Sequence, residues 1–160
     1  MKIRVALIVL SDRAASGERA DGCIAVMRER LEPAYEVVHE SVIPDDAAAL
    51  QAQLIELADS ARAQVVLTSG GTGLGPRDRT PQATQAILDY EVPGIADAIR
   101  AAGGAHVKSA MLSRALAGVR HRTLIVNLPG SPKAVGESID VIASVLPHAV
   151  ELLEGSTEHA

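Results

Sequence analysis

The residue types that suggest chemistry crowd into "SGGTGLGPRDRT", positions 69 to 80, where four glycines precede an aspartate set between two arginines. Gly70, Gly71 and Gly73, with Ser69 and Thr72, offer amides and hydroxyls able to cradle an anion. Asp78 would repel such an anion unless a cation lay between them, and magnesium bridging a carboxylate and phosphate oxygens is the common solution. Arg77 and Arg79 can meet the same negative charge directly.

A second carboxylate, Asp45 in "PDD", follows another candidate strand, although that pattern also suits a helix cap. Asp45 and Asp78 are therefore the candidate magnesium ligands, and two carboxylates beside cradled phosphates point to phosphoryl or nucleotidyl transfer. Lys133, at the start of a late helix, is placed to meet an anion there. Two general nucleotide patterns fail. Gly70 and Gly75 have P-loop spacing, but Pro76 and Arg77 stand where Lys and Ser or Thr are needed. The dinucleotide fingerprint needs its third glycine at position 76, which is Pro76.

These residues need a scaffold, and the sequence describes one. "IRVALIVLS" is a nearly continuous aliphatic run, the pattern of a strand covered on both faces. After a polar loop, Asp21 can cap a helix carrying Ile24, Met27 and Leu31, closed by Pro33. "YEVVHESVI" reads as a second strand nearer a sheet edge, and Asp45 or Asp46 starts a helix buried through Leu50, Leu54 and Leu57. "AQVVLTS" is a third strand, and Thr80-Pro81 opens a helix running to about Asp89. Residues 92–104 suggest a further helix, 105–121 are not legible, and "RTLIVN" is another buried strand. From Pro132 a helix follows, with Pro147 kinking it or separating two helices. The βαβαβ order favours a single α/β domain over 1–155 with a mostly parallel sheet and right-handed crossovers, and a frayed tail at 156–160. Loops after four of the strands should then converge on one rim, where open α/β sheets bind ligands.

The totals agree with one core in 160 residues, built from Val, Ile, Leu and Ala because Trp and Phe are absent and Tyr occurs twice. A net charge of −5 argues against a nucleic-acid binder, yet residues 98–136 hold no acid and several bases, which implies a local anion site. Cys23 is the only cysteine, so no internal disulfide is expected, and the five histidines lack metal spacing. With no signal peptide or membrane span in the sequence, a cytoplasmic protein without a membrane partner is expected.

"LSDRAASG", "TSGGTGLGPRDRTPQAT", "SRALAG" and "LIVNLPGSPKAV", in this order, resemble the molybdenum cofactor biosynthesis proteins of the MoaB/Mog type, related to the gephyrin G domain. The resemblance runs from about Val5 to Leu153. It implies the three-layer α/β/α form of the domain, and adenylation of the dithiolene-bearing molybdopterin by ATP and Mg2+, with pyrophosphate released, in a homotrimer or homohexamer that can serve a molybdenum-inserting partner. By resemblance, Asp45 and Asp78 are the functional aspartates, and Ser69 to Gly73 with Thr80 form the nucleotide loop. Ser11, Asp12, Ser16 and Asp21 match a further binding loop. Ser113, Arg114, Asn127, Pro129, Gly130, Ser131, Pro132 and Lys133 match the substrate wall. Gln82 replaces an acidic residue frequent after "TP" in relatives. Two other readings stay open: a noncatalytic pterin-binding member of the same fold, and a phosphotransferase with another substrate.

Overall fold

A computed structural model describes residues 1–31 and 33–156. The expected frayed tail therefore lies, except for Ser156, outside the described residues.

The chain runs β1 (Ile3–Leu10), α1 (Asp12–Ala15), α2 (Cys23–Leu31), β2 (Tyr35–Ile43), α3 (Ala47–Asp59), β3 (Val65–Ser69), α4 (Thr80–Gln85), β4 (Tyr90–Glu91), α5 (Pro93–Gly104), a 3-10 turn (Lys108–Leu112), β5 (Ala117–Arg120), β6 (Thr123–Leu128), α6 (Pro132–Ile142) and α7 (Leu146–Leu153). One six-stranded sheet has the order β2-β1-β3-β6-β5-β4. The first four strands in that order are parallel, whereas β5 runs antiparallel to both β6 and β4.

The aliphatic run of β1 is explained by helices on both faces. Val5, Leu7 and Val9 alternate toward one core with Met27 and Leu31 of α2, Ile99 of α5, Val135 and Ile139 of α6, and Val150 of α7. Ala6, Ile8 and Leu10 point to the other, where Leu50, Leu54 and Leu57 of α3 and Ala83 of α4 pack. Leu7, Ile8, Leu50, Leu54 and Leu67 are fully buried, and each such side chain contributes roughly 1.5–3 kcal/mol by leaving water. This is the expected three-layer α/β/α architecture, and β2 is the edge strand that its more polar pattern suggested.

Caps fix where the helices start. The Asp21 carboxylate accepts N–H bonds from Cys23 (2.9 Å) and Ile24 (3.1 Å), fastening α2. Asp46 caps α3 by accepting from the Ala49 N–H at 3.0 Å, so neighbouring Asp45 is released from capping. Two local differences separate the structure from the sequence reading, and two open points are filled in. Asp12–Ala15 forms an unexpected helical turn, and α4 stops at Gln85 because Tyr90 and Glu91 pair with β5. The illegible stretch contains the 3-10 turn and β5, and Pro147 sits in the first turn of α7, separating two helices.

Candidate functional site

Strand β1 is flanked by β2 on one side and β3 on the other, so its two successors leave in opposite directions and open a crevice at the carboxyl ends. A cleft of about 540 Å³ lies there, lined by Leu10, Ser11, Arg19, Asp21, Cys23, Asp45, Gly70, Gly71, Asp78, Gly130, Ser131 and Pro132. The loops after β1, β2, β3 and β6 all contribute, and both carboxylates, Asp45 and Asp78, line it together.

The glycine loop enters this cleft in a conformation that only glycine adopts easily. Gly70 and Gly71 have φ of 97° and 69°. A Cβ on Gly70 would sit 2.3 Å from the Leu10 carbonyl oxygen, and one on Gly71 would sit 2.2 Å from Thr80 Oγ1 and 3.3 Å from Asp45 Oδ1. The loop then closes on itself: Asp78 Oδ2 accepts the Gly75 N–H at 2.9 Å, and the Asp78 N–H donates to the Gly75 carbonyl at 3.0 Å.

Asp12 and Arg77 tie three loops together beside the cleft. Arg77 donates to Asp12 Oδ2 from Nε (2.5 Å) and to Oδ1 from a terminal nitrogen (2.9 Å), and also to the Asp45 carbonyl oxygen (3.2 Å). The Arg77 bond and the Asp45 amide hold the Asp12 carboxyl below its usual range. Asp45 moves the other way: burial, reinforced by the charges of Asp12 and Asp78, raises its pKa against the opposing bond from the Asp12 N–H and the charge of Arg77. Arg77 is thus occupied by Asp12 instead of lying open to a substrate anion.

Arg114 is similarly engaged. Its guanidinium donates to the carbonyl oxygens of Gly73 (2.9 Å) and Asp78 (2.7 Å), while its N–H donates to Thr72 O (2.9 Å). Much of the acid-free basic stretch is spent inside the fold in this way. Arg100 serves Ser113 O, Ala115 O and Asp97, and Arg120 serves Asp59 and Ile87 O.

Of the other expected residues, Ser131 lines the cleft, whereas Ser16, Ser69, Asn127 and Lys133 are not among its lining residues. Ser69 and Asn127 are fully buried: Ser69 donates to Pro129 O (2.7 Å), and Asn127 links Thr68, Thr84 and the Leu116 N–H. Ser16 is exposed and bonds within its own turn, and Lys133 is exposed on the first turn of α6. Ser131 caps α6 through the Ala134 N–H (3.2 Å). Cys23, whose thiol burial pushes up, donates to Gly130 O at 3.4 Å.

Thr72, Gly73, Ser113 and Pro129 belong to a second, largely apolar pocket of about 270 Å³, with Ile99, Val107, Ala110 and Leu112. Consecutive glycine-loop residues therefore face two pockets: Gly70 and Gly71 the polar one, Thr72 and Gly73 the apolar one. Sequence reasoning missed the apolar wall because it comes from the end of α5 and the illegible stretch. It also passed over Arg19, whose position between Gly17 and Asp21 in a chemistry-bearing loop was the available signal.

The donor set suits a hard cation brought with phosphates. Thr80 Oγ1 is buried with no hydrogen-bond partner among the described residues, and it and Asp45 Oδ1 converge on the same side of Gly71. Carboxylate and hydroxyl oxygens are what Mg2+ accepts, its other ligands coming from phosphates and water. Among the described residues no three His, Cys, Asp or Glu gather to hold a metal unaided.

The fold and cleft define a class: an α/β/α domain that gathers a glycine loop and paired carboxylates in a crevice at a topological switch point. The family described as "Probable molybdopterin binding domain" matches residues 6–148, and the chain belongs to it. It is 38% identical to the molybdopterin adenylyltransferase of Escherichia coli K12, covering 96% of this chain and 86% of that one. The Helicobacter pylori 26695 protein of the same name is 33% identical, with 96% and 89% covered. Among solved structures, the molybdopterin biosynthesis enzyme MoaB of Thermus thermophilus superposes with a TM-score of 0.90 at 45% identity, covering 96% and 98% of the two chains. The Mog protein of Mycobacterium ulcerans gives 0.90 at 39% identity, with 98% and 99% covered.

Proposed function

We propose that this chain is a molybdopterin adenylyltransferase acting in molybdenum cofactor biosynthesis, with ATP as co-substrate and Mg2+ as cofactor. The observation that carries this is the meeting of Asp45, Asp78, Gly70 and Gly71 in one cleft. The E. coli and H. pylori relatives, which bear that enzyme name over most of both chains, support it.

A phosphate oxygen of the pterin attacks the α-phosphorus of ATP, the bond from that phosphorus to the bridging oxygen breaks, and pyrophosphate leaves with the electron pair. The protein's work is positioning and charge compensation. Within the loop the Gly70 N–H is spent on Leu128 O (3.2 Å) and the Gly75 N–H on Asp78 Oδ2 (2.9 Å), so the amides of Gly71 to Gly73 are the donors for phosphate oxygens, while Arg114 engages the carbonyls of Gly73 and Asp78. Asp45, Thr80 Oγ1 and Asp78 would hold Mg2+, which neutralises phosphate charge when bound. The apolar pocket beyond Thr72 and Gly73 suits a flat heterocycle attached to a phosphate seated at the loop.

The protein works in the cytoplasm as a homotrimer or homohexamer and passes its product to a molybdenum-inserting partner. Among the described residues no helix is long and apolar enough to cross a membrane. Val107, Met111 and Leu112, exposed around the 3-10 turn, support a subunit interface there.

Incubation with molybdopterin, ATP and Mg2+ should yield adenylated pterin and pyrophosphate in equal amounts. Asp78→Asn should abolish turnover while keeping pterin affinity. No product from the wild-type protein at saturating substrate would defeat the reading and leave a binding member of the fold.

A further inference from the structure

Among the described residues three carboxylates, Asp21, Asp45 and Asp78, line the polar cleft, and Arg19 is the one cation there. A polyphosphate entering there meets net negative charge, which a single substrate-borne Mg2+ offsets only in part. The nearby arginines are committed, Arg77 to Asp12 and Arg114 to loop carbonyls. Arg19 is different. Its side chain is exposed, and the one hydrogen bond that side chain makes among the described residues runs from a terminal nitrogen to Ser11 Oγ at 3.4 Å. That length is at the weak end, and a lone hydroxyl leaves most of a guanidinium fork unused.

The backbone aims this side chain inward. Gly17 turns the loop with a φ of 80°, and the Arg19 N–H donates to Arg13 O at 3.2 Å, folding the segment back over α1 toward Ser11. Ser11 is the N-cap of α1, anchored through the Ala14 N–H at 3.2 Å. The guanidinium is therefore parked on a fixed, weak partner at the cleft wall.

We propose that Arg19 is a phosphoryl-recognition residue of the cleft: on ligand entry its guanidinium leaves Ser11 Oγ and takes two oxygens of one phosphoryl group. Anion capture of this kind stands on the cleft's own charges. Naming the phosphoryl group as that of ATP or of the pterin rests on the function proposed above.

The test is calorimetric titration with inorganic pyrophosphate of the wild-type protein, Arg19→Met, Arg19→Lys and Arg13→Met. Arg13→Met removes the same charge from an exposed position outside the cleft lining. Arg19→Met should weaken pyrophosphate roughly 10- to 100-fold. Arg19→Lys should keep part of the affinity, because it keeps the charge and loses the fork, and Arg13→Met should bind like wild type. Undetectable wild-type binding, an unchanged Arg19→Met, or an equal loss in Arg13→Met each overturns the proposal. In the adenylation assay a rise in KM for ATP alone places the guanidinium on the triphosphate, and a rise for the pterin alone places it on the pterin phosphate, with kcat little changed. If wild-type protein makes no adenylated product while Arg19→Met still loses pyrophosphate, the adenylation reading fails and the anion site stands. If wild type is active and Arg19→Met matches it in both assays, Arg19 alone is refuted.

Discussion

Asp12 and Asp45 exchange hydrogen bonds through their main chains: the Asp45 N–H donates to Asp12 Oδ1 at 2.9 Å, and the Asp12 N–H donates to Asp45 Oδ2 at 3.3 Å. Two carboxylates are thus held side by side, and Arg77 compensates only one of them closely. The result is opposite displacement of their acidities, Asp12 downward and Asp45 upward.

The sign of each effect on pH follows. Asp12, with its folded pKa depressed, contributes stability that is complete above its unfolded value of about 3.9 and is lost as pH falls through the folded value. Asp45, with its folded pKa raised, favours the protonated fold, so its contribution is present below the unfolded value and lost as pH rises through the folded one. If catalysis needs the Asp45 carboxylate to hold Mg2+, kcat/KM should fall on the acid side at a pH higher than an unperturbed aspartate would give. Asp12→Asn removes one repelling charge and releases Arg77 toward Asp45, so that acid limb should move to lower pH. A pH profile of both proteins decides; a limb that stays put would show that Asp45 does not govern it.

Gly71→Ala forces a methyl group onto Thr80 Oγ1 and leaves alanine at a φ of 69°. Left-handed backbone alone costs about 1–2 kcal/mol, and the clash adds to it. Urea unfolding should show a loss of at least that size together with weakened pyrophosphate binding. Gly94→Ala, in open space on α5, should be neutral or stabilising.

Thr80→Val keeps the shape and removes a buried hydroxyl that has no partner among the described residues. Thermal unfolding should be unchanged or slightly improved, since an unsatisfied polar group is being replaced by an apolar one. The Mg2+ concentration for half-maximal activity should rise several-fold if the hydroxyl serves the cation. A clear fall in Tm would instead reveal a structural partner for the hydroxyl.

Arg114 braces the glycine loop through the Gly73 and Asp78 carbonyls, and on the function proposed above it would act on the reaction through that loop. Lysine cannot span both the Gly73 and Asp78 carbonyls, so Arg114→Lys should raise KM for ATP more than it lowers kcat. Each lost bond costs about 0.5–1.5 kcal/mol of stability. Added methylguanidinium should restore part of the ATP affinity to Arg114→Ala, a recovery that general loosening of the fold would not show.

The parallel half of the sheet was legible because its signals are local and repeated. Long aliphatic strands, the Asp21 cap, the leucine stripe of α3 and the four loops of Ser, Gly, Pro and Asp follow from periodicity and capping alone. The antiparallel edge was not. Ala117–Arg120 is four residues including a glycine, and Tyr90–Glu91 is two, too short for any period to register. Arginine partners were equally opaque, since a sequence shows the charge of Arg77 or Arg114 but not which oxygen it meets. The basic run near the carboxyl end read as an anion site, whereas tertiary contacts turn Arg100, Arg114 and Arg120 onto backbone carbonyls. Apolar residues 99–112 gave no sign that they enclose a pocket, because they surround it from two elements of different period.

Gly70 and Gly130 approach so closely that a Cβ on Gly130 would lie 3.5 Å from the Gly70 Cα. Two lengths of bare main chain therefore make the base on which a ligand would rest: a Cβ on Gly70 would strike the Leu10 carbonyl oxygen at 2.3 Å, whereas one on Gly130 would make only ordinary contact. Exchange of side chains by selection is open in the walls around that base, at Arg19 and Asp21.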